Sequence, residues 1–455
     1  MSARNSLRSV AIVLVLGASV FAQEEPSDTE RTAPPVAGAT VQDVATPADA
    51  AIPDTRPAAG MLPLTLGSFA TERSYLLPSL HIIQAMDSNP LMSTQSDLSG
   101  ITALSGGLEL HRVSRGGQLQ VNYVGGGLLY SADSTLNSTF QQAGVQQSFE
   151  FRRWSLILAD DMSYTPESSF GFGQLTGGGN GFAPAQSPNQ SILTGQSKRL
   201  SNALVGQANY LITARSSITV AGTFGLLRFP GGNLQESNQG GALVGYNHAI
   251  SPRDTVGVNY SLNMTRFQSG SLGTNFDTHA WQLVYGRRIT GKLALQASAG
   301  PEIGVAHGVA AGGITTGWAT QEALQYRLRK VELNTSYSHT ITAGAGVLPG
   351  AHTDQAQADF NRRLSRTVDG TLSVGYAHNS NLQAISGSAT SAFSTEFVGA
   401  GLQRPLNHET MLVLRYMFQH QSGNALTCGL GVCGDVSRHV IGMELDWHTR
   451  PLLIH

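Results

Sequence analysis

Few side chains in this 455-residue sequence have types and spacings that could do chemistry. The most suggestive run lies near the C-terminus, where Glu444, Asp446 and His448 alternate with Leu445 and Trp447. A period of two puts the three polar side chains on one face of an extended strand. Two carboxylates and an imidazole on one face are the raw material for metal ligation or for general acid–base work. Nucleophilic hydrolysis would also need a serine within hydrogen-bond reach of the imidazole. Serine is so common in this chain that finding one nearby discriminates little. The expectation is therefore a protein that is not an enzyme, with no catalytic residues, no metal and no cofactor.

Other motifs lead to the same place. Gly429, Gly431 and Gly434 spell G-x-G-x-x-G, but no helical pattern follows them, so no dinucleotide cradle is expected. The sequence holds no P-loop, no H-E-x-x-H and no paired C-x-x-C, and its 13 histidines are scattered. Cys428 and Cys433, the two cysteines, lie in one glycine-rich stretch. In an exported chain they are expected to form a disulfide that closes a single loop.

The elements that must carry these residues follow from composition and pattern. Charged residues make up 13% of the chain, about half the ~25% usual in soluble domains. Glycine accounts for 52 of the 455 residues and the apolar fraction is a modest 41%. Helical spans need ~20 consecutive apolar residues, and the nearest approach to that is at the N-terminus. A formal charge of −2 gives no bias toward nucleic acid. Glycine-rich, charge-poor and averagely apolar is the composition of a barrel whose strands face lipid on one side and water on the other.

Residues 1–22 read as a secretory signal, with Arg4 and Arg8 before the apolar run Val10 to Leu16, and Val20 and Ala22 before a cut at Gln23. Residues 23–72 are rich in Pro and Ala and read as a disordered periplasmic segment. From Ser74 onward, apolar and polar residues alternate, as in Leu119, Val121 and Tyr123 against Gln118, Gln120 and Asn122. Short turns near Ser114, Arg153, Arg215, Arg253, Thr290, Arg329, Arg366 and Asn407 alternate strictly with longer connections. That pattern predicts an all-β, transmembrane, up-and-down antiparallel β-barrel of about eighteen strands (16–18), running from 74–87 to 436–449 within a domain 73–449. Residues 450–455 are expected to be a C-terminal tail, and localisation in the outer membrane follows.

Alternation also sorts side chains by face. Expected lumen-lining residues are Gln118, Gln120, Asn122, Glu150, Asn259, Asn263, Glu332, Asn334, Asp359, Arg415, Glu444 and Asp446. A wall of amides and hydroxyls suits small polar or sugar-like solutes better than a strongly ion-selective filter. Arg152, Arg153, Arg287, Arg288, Arg329, Lys330, Arg362 and Arg363 sit at the short turns, as a periplasmic basic collar or simply as solvated turn charges. Asp160 and Asp161 are adjacent in one strand and would face opposite sides, which predicts a bulge.

Three resemblances add to this reading. The long connection 166–197, with Phe170, Phe172 and Phe182 among its glycines, resembles in order and length the third loop of trimeric porins, which implies a constriction loop and a homotrimer. Gly442, Leu445 and Trp447 resemble the assembly signal of outer-membrane proteins, which implies the barrel-assembly machinery as a partner beside outer-membrane lipid. The exported chain, the Asp87-Ser88-Asn89-Pro90 segment and the hairpin meander together resemble the β-barrel porin 2 group, over about residues 74–447. A porin-like channel for passive diffusion is the expected function. Alternatives are a component of polysaccharide export, implied by some members of that group, and a plugged structural or binding barrel.

Overall fold

The computed structural model describes residues 74–93, 97–114, 116–166, 191–194, 197–231, 234–268, 275–307, 313–344, 347–348, 350–382, 391–423 and 435–454. The signal segment, the Pro/Ala-rich segment, Phe170, Phe172, Phe182, Cys428 and Cys433 lie outside the described residues.

The alternating segments become strands because each can bury one face and leave the other to a different solvent. In chain order they are β1 (Tyr75–Asp87), β2 (Ser99–Ser114), β3 (Gly117–Tyr130), β4 (Ser138–Glu150), β5 (Trp154–Thr165), β6 (Arg199–Leu211), β7 (Ser216–Arg228), β8 (Glu236–Ala249), β9 (Asp254–Gln268), β10 (Asn275–Thr290), β11 (Leu293–His307), β12 (Gly313–Leu328), β13 (Val331–Thr342), β14 (Ala351–Arg363), β15 (Asp369–Asn381), β16 (Ala392–Pro405), β17 (Thr410–Gly423), β18 (Val436–His448) and β19 (Leu452–Leu453). All belong to one sheet of nineteen strands. Each of the eighteen long strands pairs antiparallel with its chain neighbours, and β1 pairs with β18 from Ser79↔His448 to Asp87↔Val440. That last pairing closes the barrel, so the up-and-down meander expected from the sequence is the observed fold. Closure removes the exposed sheet edges that an open meander would carry.

Two faces follow from the closed register. One carries Leu283 and Ile314, which are 71% and 73% exposed, and with them Leu80, Ile82, Leu104, Val220, Val244 and Trp318. This apolar surface is the outer wall. The opposite face holds Ser105, Asn209, Asn259, Gln282, Ser298 and Gln355, all buried, and it is the inner wall. Polar inside and apolar outside inverts a soluble protein, as a barrel bathed in lipid requires.

Pro78 sits inside β1 without breaking it. Its carbonyl accepts from Thr449 N at 3.1 Å, so its nitrogen, which has no proton to give, points the same way. It meets the gap between His448, where β18 stops, and Leu452, where β19 starts. The ladder therefore loses no bond there. The expected tail 450–455 departs from expectation at this point: Leu452 and Leu453 pair with Leu76 and Tyr75.

The doublet Asp160–Asp161 also differs from expectation. The register runs unbroken through Val145↔Asp160 and Gly144↔Asp161, with no bulge. Asp160 turns outward, where Asn202 Nδ2 donates to it at 2.7 Å, and Asp161 turns inward. A cross-strand amide partner replaces the bulge as the means of holding an outward carboxylate.

Backbone approach is tightest at Gly300 on β11, where a Cβ would fall on the carbonyl oxygen of Trp281. Backbone cannot rotate away as a side-chain tip can. Gly300→Ala is expected to cost at least the ~1–3 kcal/mol of ordinary overpacking. A lower temperature for the heat-induced gel shift would record it; an unchanged one would show that the β10–β11 pair can part at no cost.

Candidate functional site: the barrel lumen

The register carries all twelve expected lumen residues to the inner face. Asn259 lies opposite Gln282, Asn334 opposite Asp359, Arg415 opposite Gly442 and Glu444 opposite Val413. Hydrogen bonds tie this wall together sideways. Thr219 Oγ1 donates to Asn209 at 2.6 Å, Asn259 Nδ2 to Gln282 at 3.4 Å, and Gln357 Nε2 to Asp359 at 2.8 Å. Bonded laterally, these side chains share donors and acceptors along a wall that also carries buried apolar residues such as Val205, Leu243 and Val284.

At the long-loop end, a described part of the connection between β5 and β6 reaches the inner wall. Its stretch Ser191–Thr194 lies against β15 and β17, far from its parent strands in the strand order. Ser191 Oγ donates to Asn379 Oδ1 at 2.8 Å, Leu193 N donates to Gln421 Oε1 at 2.7 Å, and Gln421 Nε2 donates to Leu193 O at 3.1 Å. Thr353 and Thr395 hold those two amides in place from neighbouring strands. Ile192 packs with Val347, Leu348, Ala351 and Phe393. Leu193 joins a larger core with Met92, Leu136, Phe397 and Met417. Apolar residues from several loops thus meet inside the long-loop mouth, and the stretch Ser191–Thr194 is anchored there.

Sequence reading placed the constriction on Phe170, Phe172 and Phe182, outside the described residues. It missed Ile192, Leu193, Asn379 and Gln421. The available signal was the apolar pair Ile192–Leu193 at the end of an otherwise glycine-rich connection.

Two ionic clusters sit where the first and last strands meet. Arg438 on β18 donates through Nε to Asp87 Oδ1 at 3.0 Å and to Oδ2 at 2.9 Å, and through its Nη2 to Oδ2. Both side chains are essentially fully buried. Further toward the short turns, His81 on β1 donates from Nδ1 to Asp446, with Glu444 at 3.6 Å from the same nitrogen. Glu444 meets Arg415 at 2.7 Å, and Ser79 Oγ lies 2.9 Å from His81 Nε2. The imidazole beside the two acids is therefore His81 and not His448, whose Nδ1 donates to Thr449 O at 3.0 Å. His81 escaped the sequence reading because its acid partner is 365 residues away.

The eight residues of the basic collar are all exposed at the short-turn end. Arg288 and Arg363 have inward parity, while Arg287 and Arg362 have outward parity. Arg287 lies 3.6 Å from Asp254, and Arg363 lies 3.6 Å from Asp369. Charges split between both faces, two of them beside acids, solvate a turn more than they focus a field into the lumen. In the proposed assembly signal, Leu445 and Trp447 are outward and exposed, while Gly442 packs inward against Ala85.

The geometry defines a class, a closed antiparallel barrel with a polar interior and an apolar exterior. No family model and no curated protein matches the chain. Among solved structures it is similar to the outer membrane protein OpdK of Pseudomonas aeruginosa, with a TM-score of 0.42 and 9% identity, covering 82% of this chain and 99% of that one. It is similar to OccAB3 of Acinetobacter baumannii at a TM-score of 0.42 and 8% identity, covering 83% and 99%. It is also similar to Pseudomonas aeruginosa OccK2 (OpdF) in complex with glucuronate, at 0.42 and 9%, covering 84% and 98%. The fold assignment rests on the closed strand register of the chain itself.

Proposed function

We propose that the chain is an outer-membrane channel through which small polar solutes diffuse passively. One observation carries the reading: an apolar outer wall and a hydrogen-bonded polar inner wall around a closed ring of eighteen strands. Lipid is the partner of the outer wall, and the Gly442–Trp447 pattern is the address read by the barrel-assembly machinery. The same reading keeps the chain with the β-barrel porin 2 group, on its hairpin meander and the Asp87–Pro90 segment.

The wall also favours some solutes over others. Arg415 and Arg438 are committed to carboxylates, whereas Glu302 and Asp359 are held by neutral donors, Thr340 and Gln357 among them. Where Arg415, Arg438, Glu302 and Asp359 line the wall, cations committed to carboxylates and acids held by neutral groups should disfavour anions. Liposomes containing the protein are expected to swell rapidly in small neutral sugars, more slowly as sugar size grows, and less in organic anions of equal size. Swelling no faster than empty liposomes would overturn the proposal.

A second reading draws on the apolar core at the long-loop mouth, around Met92, Leu136, Leu193, Val347 and Leu348. A mouth sealed by that core would make the barrel a structural or binding platform, and the same swelling assay would then give no permeation.

A further inference from the structure

We infer that His81, Glu444 and Asp446 form a binding site for one divalent transition-metal ion that bridges the first and last strands of the barrel. The three side chains offer one ligand atom each, and these atoms lie within 4.8 Å of one another. Their side chains are 6%, 1% and 6% exposed, so water does little to screen the two carboxylates.

Charge is the first argument. Arg415 neutralises Glu444 from one side at 2.7 Å. With a neutral imidazole the set of Arg415, Glu444, Asp446 and His81 carries one net negative charge, so it attracts a cation, either a proton on His81 or a metal ion. Geometry favours the metal. A single N–H on Nδ1 can serve one acceptor well, yet Nδ1 faces both Asp446 and Glu444. An ion placed among the three serves both carboxylates and takes the Nδ1 lone pair.

The surroundings fit such an ion. With Nδ1 bound to metal, Nε2 carries the proton and donates to Ser79 Oγ at 2.9 Å. That is the outer-shell contact that fixes the ring and tautomer of a ligating histidine. Arg415 holds Glu444 in the same way. Gly107, across the ladder from Ser79, leaves the room this arrangement needs: a Cβ there would fall on Ser79 Oγ and lie 3.4 Å from His81 Nε2.

One imidazole nitrogen with two carboxylates suits zinc and its first-row neighbours better than calcium, which takes six to eight oxygens. Ser79, His81 and Asp446 also have the order of a hydrolytic triad. The backbone around Ser79, however, is paired on both sides, to Gly107 and to His448. Its amides are committed to the ladder and not to an oxyanion.

Because His81 comes from β1 and both acids from β18, the ion would fasten the one seam formed between the ends of the chain. It would stabilise the closed barrel by mass action, whatever the lumen conducts.

The test uses the full chain folded in detergent, stripped with chelator and titrated with Zn2+ in competition with a chromophoric chelator. One Zn2+ per barrel is expected. His81→Gln and Asp446→Asn should lose it, and Ser79→Ala should keep the stoichiometry with affinity weakened about tenfold or more. Zn2+ should also raise the temperature of the heat-induced gel shift in the wild type but not in His81→Gln. A wild-type barrel that binds no stoichiometric Zn2+ would overturn the inference, whether or not the variants fold. So would variants that bind as much as the wild type.

Discussion

Replacing Leu193 by aspartate is expected to raise single-channel conductance several-fold while leaving the barrel folded. Leu193 is 4% exposed in the apolar core at the long-loop mouth. A carboxylate there would lose its hydration, a cost of several kcal/mol. Among the described residues, the stretch Ser191–Thr194 is held by two reciprocal bonds to Gln421, one to Asn379 and the packing of Ile192 and Leu193. Their combined worth is of the same order as the penalty, at roughly 0.5–1.5 kcal/mol per bond. The segment should therefore leave the wall and the strands should remain. Gln421→Ala should act in the same direction and more weakly, since it removes both bonds to Leu193 but leaves the apolar packing. Unchanged conductance in a folded Leu193→Asp protein would mean that this segment does not constrict the path.

The second large effect is expected at the seam between β1 and β18. Asp87→Ala would remove the carboxylate that the Arg438 guanidinium, 1% exposed, meets on the facing strand. Breaking a buried pair from one side costs about 3–5 kcal/mol, because the remaining charge loses the partner that offset its desolvation. The loss falls on the strand pair that closes the barrel, so it should appear as early unfolding in urea and as a lower gel-shift temperature. Replacing both partners, Asp87→Ala with Arg438→Met, should recover most of the loss, since no orphan charge remains. A double variant as unstable as the single one would show that the pair contributes through its own attraction and not merely through avoided desolvation.

The barrel was legible in the sequence because its two governing signals are local. A side-chain period of two marks strands over windows of a few residues, and turns rich in arginine and glycine punctuate them. The first and last long strands, β1 and β18, accordingly begin and end within about one residue of the expected 74–87 and 436–449. The inner-face residues follow from the same parity, from Gln118 on β3 to Asp446 on β18.

What stayed hidden depends on contacts made only after closure. His81 gives no sign alone that it will meet Asp446, because the meeting is set by the β1–β18 register. Pro78 looked like a weak point in its strand, and only the break between β18 and β19 shows where its missing donor goes. Asp160 called for a bulge when read along its own strand, whereas its remedy, Asn202, lies on the next one. Ile192 and Leu193 read as part of a glycine-rich connection until the inner wall they dock on came into view. Local periodicity specifies the wall, and long-range register specifies what the wall holds.

The central claim, that this barrel is an open polar channel, is tested most directly by planar-bilayer recording of the purified full-length protein. Discrete, long-lived open steps are expected, with a conductance that rises with salt concentration and a reversal potential in a salt gradient that disfavours anions. A folded protein that inserts and stays electrically silent would contradict it.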